Sequence, residues 1–324
     1  MRRHILYLVC AKIGFRQNLW TQAVESPQRR RFLLVAAILG LSPVARAQVS
    51  GGVPRRDSSK VVVAAQGTPL PGPGAQPDRP VDDGIVTDRP DFTESSSTVG
   101  KGRVQIEAGY TFSRDGDVGA RSNHAYPELL LRAGVFSERL ELRAGQSFTR
   151  TIVTTVEGDR LSVHGADDLY LGVKMAVTAQ RGWRPEVALV VQSTVPTGAD
   201  ALTAGRLLPG INILYGMEIG ANAFTLGGST QINGAMNDDA QEYAEFAQSV
   251  TAGWDFATRL GAYAEAFAFV PYGRSGERVR RTSYVNGGFR FKPARNLQYD
   301  VRVGRGLTTA SDDFFIGFGV SVRR

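Results

Sequence analysis

Cysteine is almost absent from this chain, with one in 324 residues, Cys10. That excludes a disulfide framework and thiol chemistry in everything that follows it. Histidine is nearly as scarce, and beyond residue 47 only His124 and His164 occur. No Cys/His spacing suits zinc and no glycine-rich phosphate loop is present, so the sequence implies no metal and no cofactor. Long apolar runs are lacking too. Beyond residue 47 no uncharged apolar stretch approaches the ~20 residues of a membrane helix. Bulk charge is the last absence. The formal +7 is carried by Arg2, Arg3, Lys12, Arg16, Arg29, Arg30, Arg31 and Arg46 against Glu25 alone. The remainder is neutral, so nothing in it argues for a nucleic-acid partner.

What is present begins with an export signal. Arg29–Arg31, the apolar run Phe32 to Leu41, and Ala45-Arg46-Ala47 form the three parts of a secretory signal peptide over 1–47, with Gln48 as the expected first mature residue. Residues 48–83 hold Pro54, Pro69, Pro71, Pro73, Pro77 and Pro80 among glycines. Proline removes backbone donors and glycine raises the ordering cost, so this stretch reads as a disordered linker.

The period changes at Val104. Val104, Ile106, Ala108, Tyr110 and Phe112 are apolar or aromatic, while Gln105, Glu107, Gly109, Thr111 and Ser113 between them are polar or small. Alternation at period two gives a strand with one apolar and one polar face. The pattern returns near 128–135, 140–148, 169–177, 187–191, 211–217, 224–232, 246–254, 260–270, 285–291, 297–303 and 314–322. In 260–270 the bulk sits on the polar side. These segments have about the length needed to cross a bilayer as tilted strands. Their connections alternate between long and short, with 150–167 read as one long loop. In an antiparallel meander that parity puts the long loops at one end, and the short turns with both termini at the other. The expected fold is therefore all-β: a single transmembrane up-and-down β-barrel of about twelve strands over 104–324, in the bacterial outer membrane. Its apolar face meets lipid and its polar face lines the lumen.

Parity then assigns the lumen. Glu107, Glu128, Arg132, Glu141, Arg143, Lys174, Glu265, Arg290, Asp300 and Arg302 are the candidate lumen-lining charges. No ring of one sign appears among them, so strong ion selectivity is not indicated. The turn 136–139 sets Arg132 opposite or diagonal to Glu141, and the turn 292–296 brings Arg290 near Asp300. A ladder of pairs that merely fills the bore is the plainer alternative. Residues 84–103 form a periplasmic lead-in or a partial plug, with Asp88, Arg89, Asp91 and Glu94 as candidate plug residues at the periplasmic mouth. Arg274, Arg278, Arg280 and Arg281 crowd one outer loop, where they can contact lipopolysaccharide phosphates.

Several motifs, in order, resemble one family. They are Thr87-Asp88-Arg89-Pro90-Asp91-Phe92-Thr93-Glu94-Ser95, Gly102–Tyr110, Glu128–Arg132, Leu140–Arg143, Gly165–Asp168, Val195–Gly198, Gln298–Asp300 and Gly317–Ser321. Together they resemble the outer-membrane barrels described as transporters of the MetA pathway of phenol degradation. The resemblance spans about 83–324 and implies an outer-membrane channel. Such barrels usually end in an aromatic residue read by the assembly machinery, whereas this chain ends Val322-Arg323-Arg324.

The leading functional expectation is a channel for passive movement of small solutes, apolar or aromatic ones included. The expected partners are outer-membrane lipids, lipopolysaccharide, the barrel assembly machinery and the solutes themselves. A closed structural or surface-interaction barrel is the alternative. A lipid hydrolase would need a serine beside His124 or His164 at a spacing that activates it. The sequence offers none, so no enzyme is expected.

Overall fold

The computed structural model describes residues 84–324 apart from 117–119, 156–157, 221–223, 238, 274–275 and 277–278. The signal-peptide and linker expectations, 1–47 and 48–83, lie outside the described residues. The strands are β1 (Val104–Asp115), β2 (Arg121–Gly134), β3 (Leu140–Gln146), β4 (Phe148–Thr154), β5 (Arg160–Ala166), β6 (Leu169–Thr178), β7 (Glu186–Val195), β8 (Leu208–Ile219), β9 (Phe224–Met236), β10 (Glu242–Ala257), β11 (Leu260–Tyr272), β12 (Thr282–Ala294), β13 (Leu297–Gly306) and β14 (Phe314–Arg323).

All pairings are antiparallel, and β1 pairs with both β2 and β14, which closes the sheet on itself. β3 and β4 follow one another along β2, interrupted only at Ser147, and β5 and β6 follow one another along β4 and β3. Each couple makes one strand of the wall, so the barrel has twelve. Closure is what lipid demands. Each unpaired backbone N–H or C=O in hydrocarbon costs several kcal/mol, on the order of a buried amide without a partner.

The side chains invert the usual inside and outside. Val104, Ile106, Leu129, Leu131, Leu171, Ile211, Ile213, Phe289, Val301 and Phe318 are all exposed on the outer wall. Gln105, Glu107, Arg132, Glu141 and Lys174 are fully buried. In water this would be an unstable protein. In a bilayer the outer belt meets lipid and the polar groups meet each other. Where polarity does reach the outer face it is satisfied sideways. Gln248 donates to the Tyr215 hydroxyl at 2.6 Å and accepts from Thr230 at 2.8 Å.

The stretch 150–167, read as a long loop, is corrected by the structure. Most of it is strand, β4 and β5, paired from Phe148↔Ala166 to Thr154↔Arg160. This pair stands at the end of the barrel away from the termini. Every residue from Arg160 to His164 is exposed, and the alternation of Leu161 and Val163 with Ser162 and His164 runs for only a few residues, too few to mark a membrane-crossing strand.

At the other end the chain termini meet. Val104 and Arg324 exchange two backbone hydrogen bonds, at 2.9 and 2.8 Å. The non-aromatic last residue is thus the final rung of the seam between β1 and β14.

Candidate functional site: the barrel lumen

The ten charges assigned by parity face the bore, and of the two pairs that strand spacing suggests one forms, Arg132 with Glu141, and the other does not. What gathers them is the chain before β1. Residues 84–103 enter the bore beside the β12–β13 turn, where Ile85 N–H donates to the Arg295 carbonyl at 2.6 Å. They rise to Arg89–Phe92 and descend to Gly102, which donates to Gly134 O. The four residues expected at the periplasmic mouth sit deeper than that.

Asp88 is the hub. Its carboxylate lies 3.3 Å from Arg132, 2.7 Å from Arg143 and 3.3 Å from Lys174. Arg132 also pairs with Glu107 at 3.1 Å and Glu141 at 2.9 Å, and Arg143 with Glu141 at 3.2 Å. The wall here offers three buried cations and two carboxylates, and Asp88 supplies the third. Burial alone would push its carboxyl pKa up. Arg132, Lys174 and Arg143 outweigh that and hold it well below the usual carboxylate range. Glu107 in turn accepts the backbone N–H groups of Asp88 and Arg89, at 3.0–3.1 Å.

Arg89 crosses to the seam, reaching Glu128 at 3.0 Å, Asp300 at 3.6 Å and the Phe318 carbonyl at 3.2 Å. Its seat is made of two glycines. Gly109 of β1 and Gly319 of β14 are register partners, and a Cβ on either would run into the Arg89 guanidinium. Arg302 donates to the Pro90 carbonyl at 2.9 Å. Glu94 reaches Arg143 at 3.0 Å.

Glu265 holds the far side, accepting from Phe92 N–H at 2.8 Å and from Thr93 N–H at 2.6 Å. Asp91 accepts from the Thr251 hydroxyl at 3.3 Å. Burial and then the Glu265 carboxylate push its pKa up to about 7, against the opposing pull of Arg290.

One expected pair is corrected. Arg290 and Asp300 are register partners, yet Arg290 turns to Asp255 at 3.4 Å and Asp300 faces Arg89. Directly opposed residues share a face, but a nearer partner from outside the ladder wins. Arg132 and Glu141 do meet on the diagonal expected for them.

Sequence reasoning attached no role to the inward aromatics. Phe267 and Phe269 of β11, Tyr284 of β12 and Phe315 of β14 form a ring cluster inside the barrel, and Phe92 stacks on it. The signal was available in the bulk on the polar parity of β11. Cavities flank the segment. One of ≈ 460 Å³ on the loop side is bordered by Asp88, Phe92, Glu128, Arg143, Tyr170 and Arg302. Another of ≈ 180 Å³ on the turn side is bordered by Thr93, Glu186, Tyr215, Glu218 and Arg290. Asp91 and Glu94 border both.

Arg280 and Arg281 are exposed near the β11–β12 loop, and Arg274 and Arg278 lie outside the described residues. His124 contacts the Tyr110 hydroxyl at 2.9 Å, and His164 is exposed on β5. Asp168 ties a loop, accepting from Gly198 N–H at 3.0 Å and Ala204 N–H at 2.9 Å, while Asp167 accepts from the Thr149 hydroxyl. The two motifs Gly165–Asp168 and Val195–Gly198 are therefore one joint.

A closed twelve-stranded wall with lipid-facing apolar side chains and a charged bore defines an outer-membrane β-barrel. Residues 87–323 match the family described as "Putative MetA-pathway of phenol degradation", and the chain belongs to that family. No curated protein sequence matches it. Among solved structures it is similar to the COG4313 outer membrane channel from Pseudomonas putida F1, with a TM-score of 0.57 and 12% identity over 76% of this chain and 100% of that one. It is more distantly similar to the NanC porin, with a TM-score of 0.42 and 8% identity over 68% of this chain and 98% of that one. The KdgM porin gives 0.43 and 10% over 67% and 98%.

Proposed function

We propose that this protein is an outer-membrane channel for small solutes, shut in its resting state by residues 84–103 acting as a plug. The observation that carries the reading is the pair of cavities, one toward the loops and one toward the turns, with Asp91 and Glu94 between them. The family description and the likeness in fold to a solved channel support the same reading. The family description favours aromatic or apolar solutes, and the passage is passive, since no energy-coupling element is part of the reading. No catalytic step belongs to it.

The ion network favours a second reading, a permanently filled barrel serving structure or surface contact. Arg132, Glu107, Glu141 and Lys174 are fully buried among one another and Asp88, as a permanent filling would be. Single-channel recording in planar bilayers separates the two. The channel reading expects brief openings from the intact protein and sustained conductance once residues 84–99 are deleted. Folded barrel that stays silent in both forms leaves only the filled barrel standing.

A further inference from the structure

The ionic contacts explain how the segment is held at Asp88 and Arg89. They do not explain Phe92, an apolar ring placed in a bore lined with charge. Phe92 lies 4.6 Å from Phe267, centroid to centroid, with the planes 13° apart. It meets Phe269 edge-on at 5.2 Å and 79°. Phe267 is itself stacked on Tyr284 at 5.0 Å and 20°, and Phe315 closes the group at 6.1 Å from Tyr284 and 6.5 Å from Phe267. Four wall rings from three strands thus form one platform, and the fifth ring comes from the plug. Phe92 is only half-buried and borders the ≈ 460 Å³ cavity on the loop side. That space is ample for a single-ring solute, since about 150 Å³ accommodates benzene.

We infer that Phe92 occupies a binding site for a planar aromatic solute, and that such a solute opens the channel by taking its place. This rests on the plugged-channel reading and adds where a planar solute binds and how it opens the channel. The solute arrives in the loop-side cavity, stacks on Phe267 against Phe269, and leaves Phe92 without its platform. An aromatic pair changes an equilibrium constant roughly two- to twelve-fold beyond simple burial, so binding and plug seating compete on comparable terms. The ring matters because faces and edges of π-systems attract one another in the stacked and edge-on poses seen here. A saturated ring of the same size fills the space without that attraction.

The test uses full-length protein in planar bilayers, with phenol and cyclohexanol as probes of matched size. Phenol is expected to raise the open probability of the wild type several-fold, and cyclohexanol to leave it nearly unchanged. Phe92→Ala, which leaves the barrel wall intact, is expected to open several-fold more often without any probe and to gain little from phenol. Phe267→Ala is expected to lose the phenol response. Asp88→Ala serves as the reference for the channel itself, because it loosens the plug at the ionic hub and touches none of the ring contacts. If Asp88→Ala conducts while phenol acts no better than cyclohexanol on the wild type, the ring site is overturned and the channel stands. An unchanged basal opening in Phe92→Ala likewise overturns it. Silence from every folded form, Asp88→Ala included, overturns the channel and this inference with it.

Discussion

The two sides of the lumen hold the same segment by different physics. The side built from β1, β2, β3 and β6 is ionic, with Glu107, Arg132, Glu141, Arg143 and Lys174 all buried. The side built from β10, β11 and β12, with Phe315 of β14, meets the segment mostly through neutral or aromatic groups, Ser249, Asn286, Phe267, Phe269, Tyr284 and Phe315, with Glu265 accepting from the segment's backbone. Buried ion pairs are costly to leave half-made. Ring contacts are individually modest and interchangeable with other rings. The ionic side therefore works as an anchor, and the aromatic side as the part that another molecule can contest.

Asp88→Ala strikes the anchor and has the largest expected effect. It strands three buried cations with two carboxylates, a loss of about 3–5 kcal/mol for a buried partner. The segment 84–99 is expected to become cleavable by protease in the folded barrel. Continued protection would show that the ionic side is not the anchor. Next comes the seat of Arg89. Gly109→Ala or Gly319→Ala places a methyl where the guanidinium lies, and overpacking of this kind costs about 1–3 kcal/mol. For Gly109→Ala, sustained openings in bilayers without loss of barrel thermal stability are the expected result, since its methyl meets only Arg89, whereas the Gly319 methyl also meets the Ala108 carbonyl and is expected to cost the seam some stability. A fall in stability equal to that of a wall mutation would instead place the cost in the seam.

The acid–base response sharpens the contrast further. Asp91 faces Glu265 on β11, Arg290 on β12, Thr251 on β10 and the Tyr263 hydroxyl. Its seated pKa of about 7 lies above the ~3.9 of a free aspartate. The seated segment thus binds a proton more readily than the released one. The contribution of Asp91 to seating is fully present below about pH 4, is lost as pH rises toward 7, and changes little above it. Open probability measured from pH 4.5 to 8 is expected to climb over that window, and Asp91→Asn to flatten the rise. The charged hub does not follow, because Asp88 stays ionised well below the ordinary range. The smallest effect belongs to neither side. Replacing the exposed Arg280 and Arg281 by alanine is expected to weaken lipopolysaccharide binding slightly and in a salt-dependent way. Conductance in lipopolysaccharide-free bilayers should stay unchanged.

The barrel was legible because lipid enforces contrast. A strand with hydrocarbon on one face and charge on the other writes period two into its sequence, from Val104 to Val322. The signal fails where a strand is short: β4 and β5 have seven residues each, and the alternation in β5 from Leu161 to His164 is too brief to stand apart from a loop. The site was half legible. Parity named the inward charges, and a short turn fixed the Arg132–Glu141 diagonal. The depth of Asp88 in the bore was not, because a segment without periodicity carries no record of what it touches. Arg290 escaped for a related reason. Register says which residues face each other, while a long side chain chooses among all partners in reach, and Asp255 was nearer than Asp300. The aromatic platform was visible as misplaced bulk on β11, but its meaning needed Phe92 beside it.

The glycine pair under Arg89 has one more implication. Gly109 belongs to the first strand and Gly319 to the last, and they become neighbours only when those strands join. The cradle therefore does not exist on a half-assembled sheet. Its occupant also touches β2 through Glu128 and β13 through Asp300. The seat is whole only where the first and last strands have joined, so a molecule sealed by Arg89 is one whose cylinder is closed.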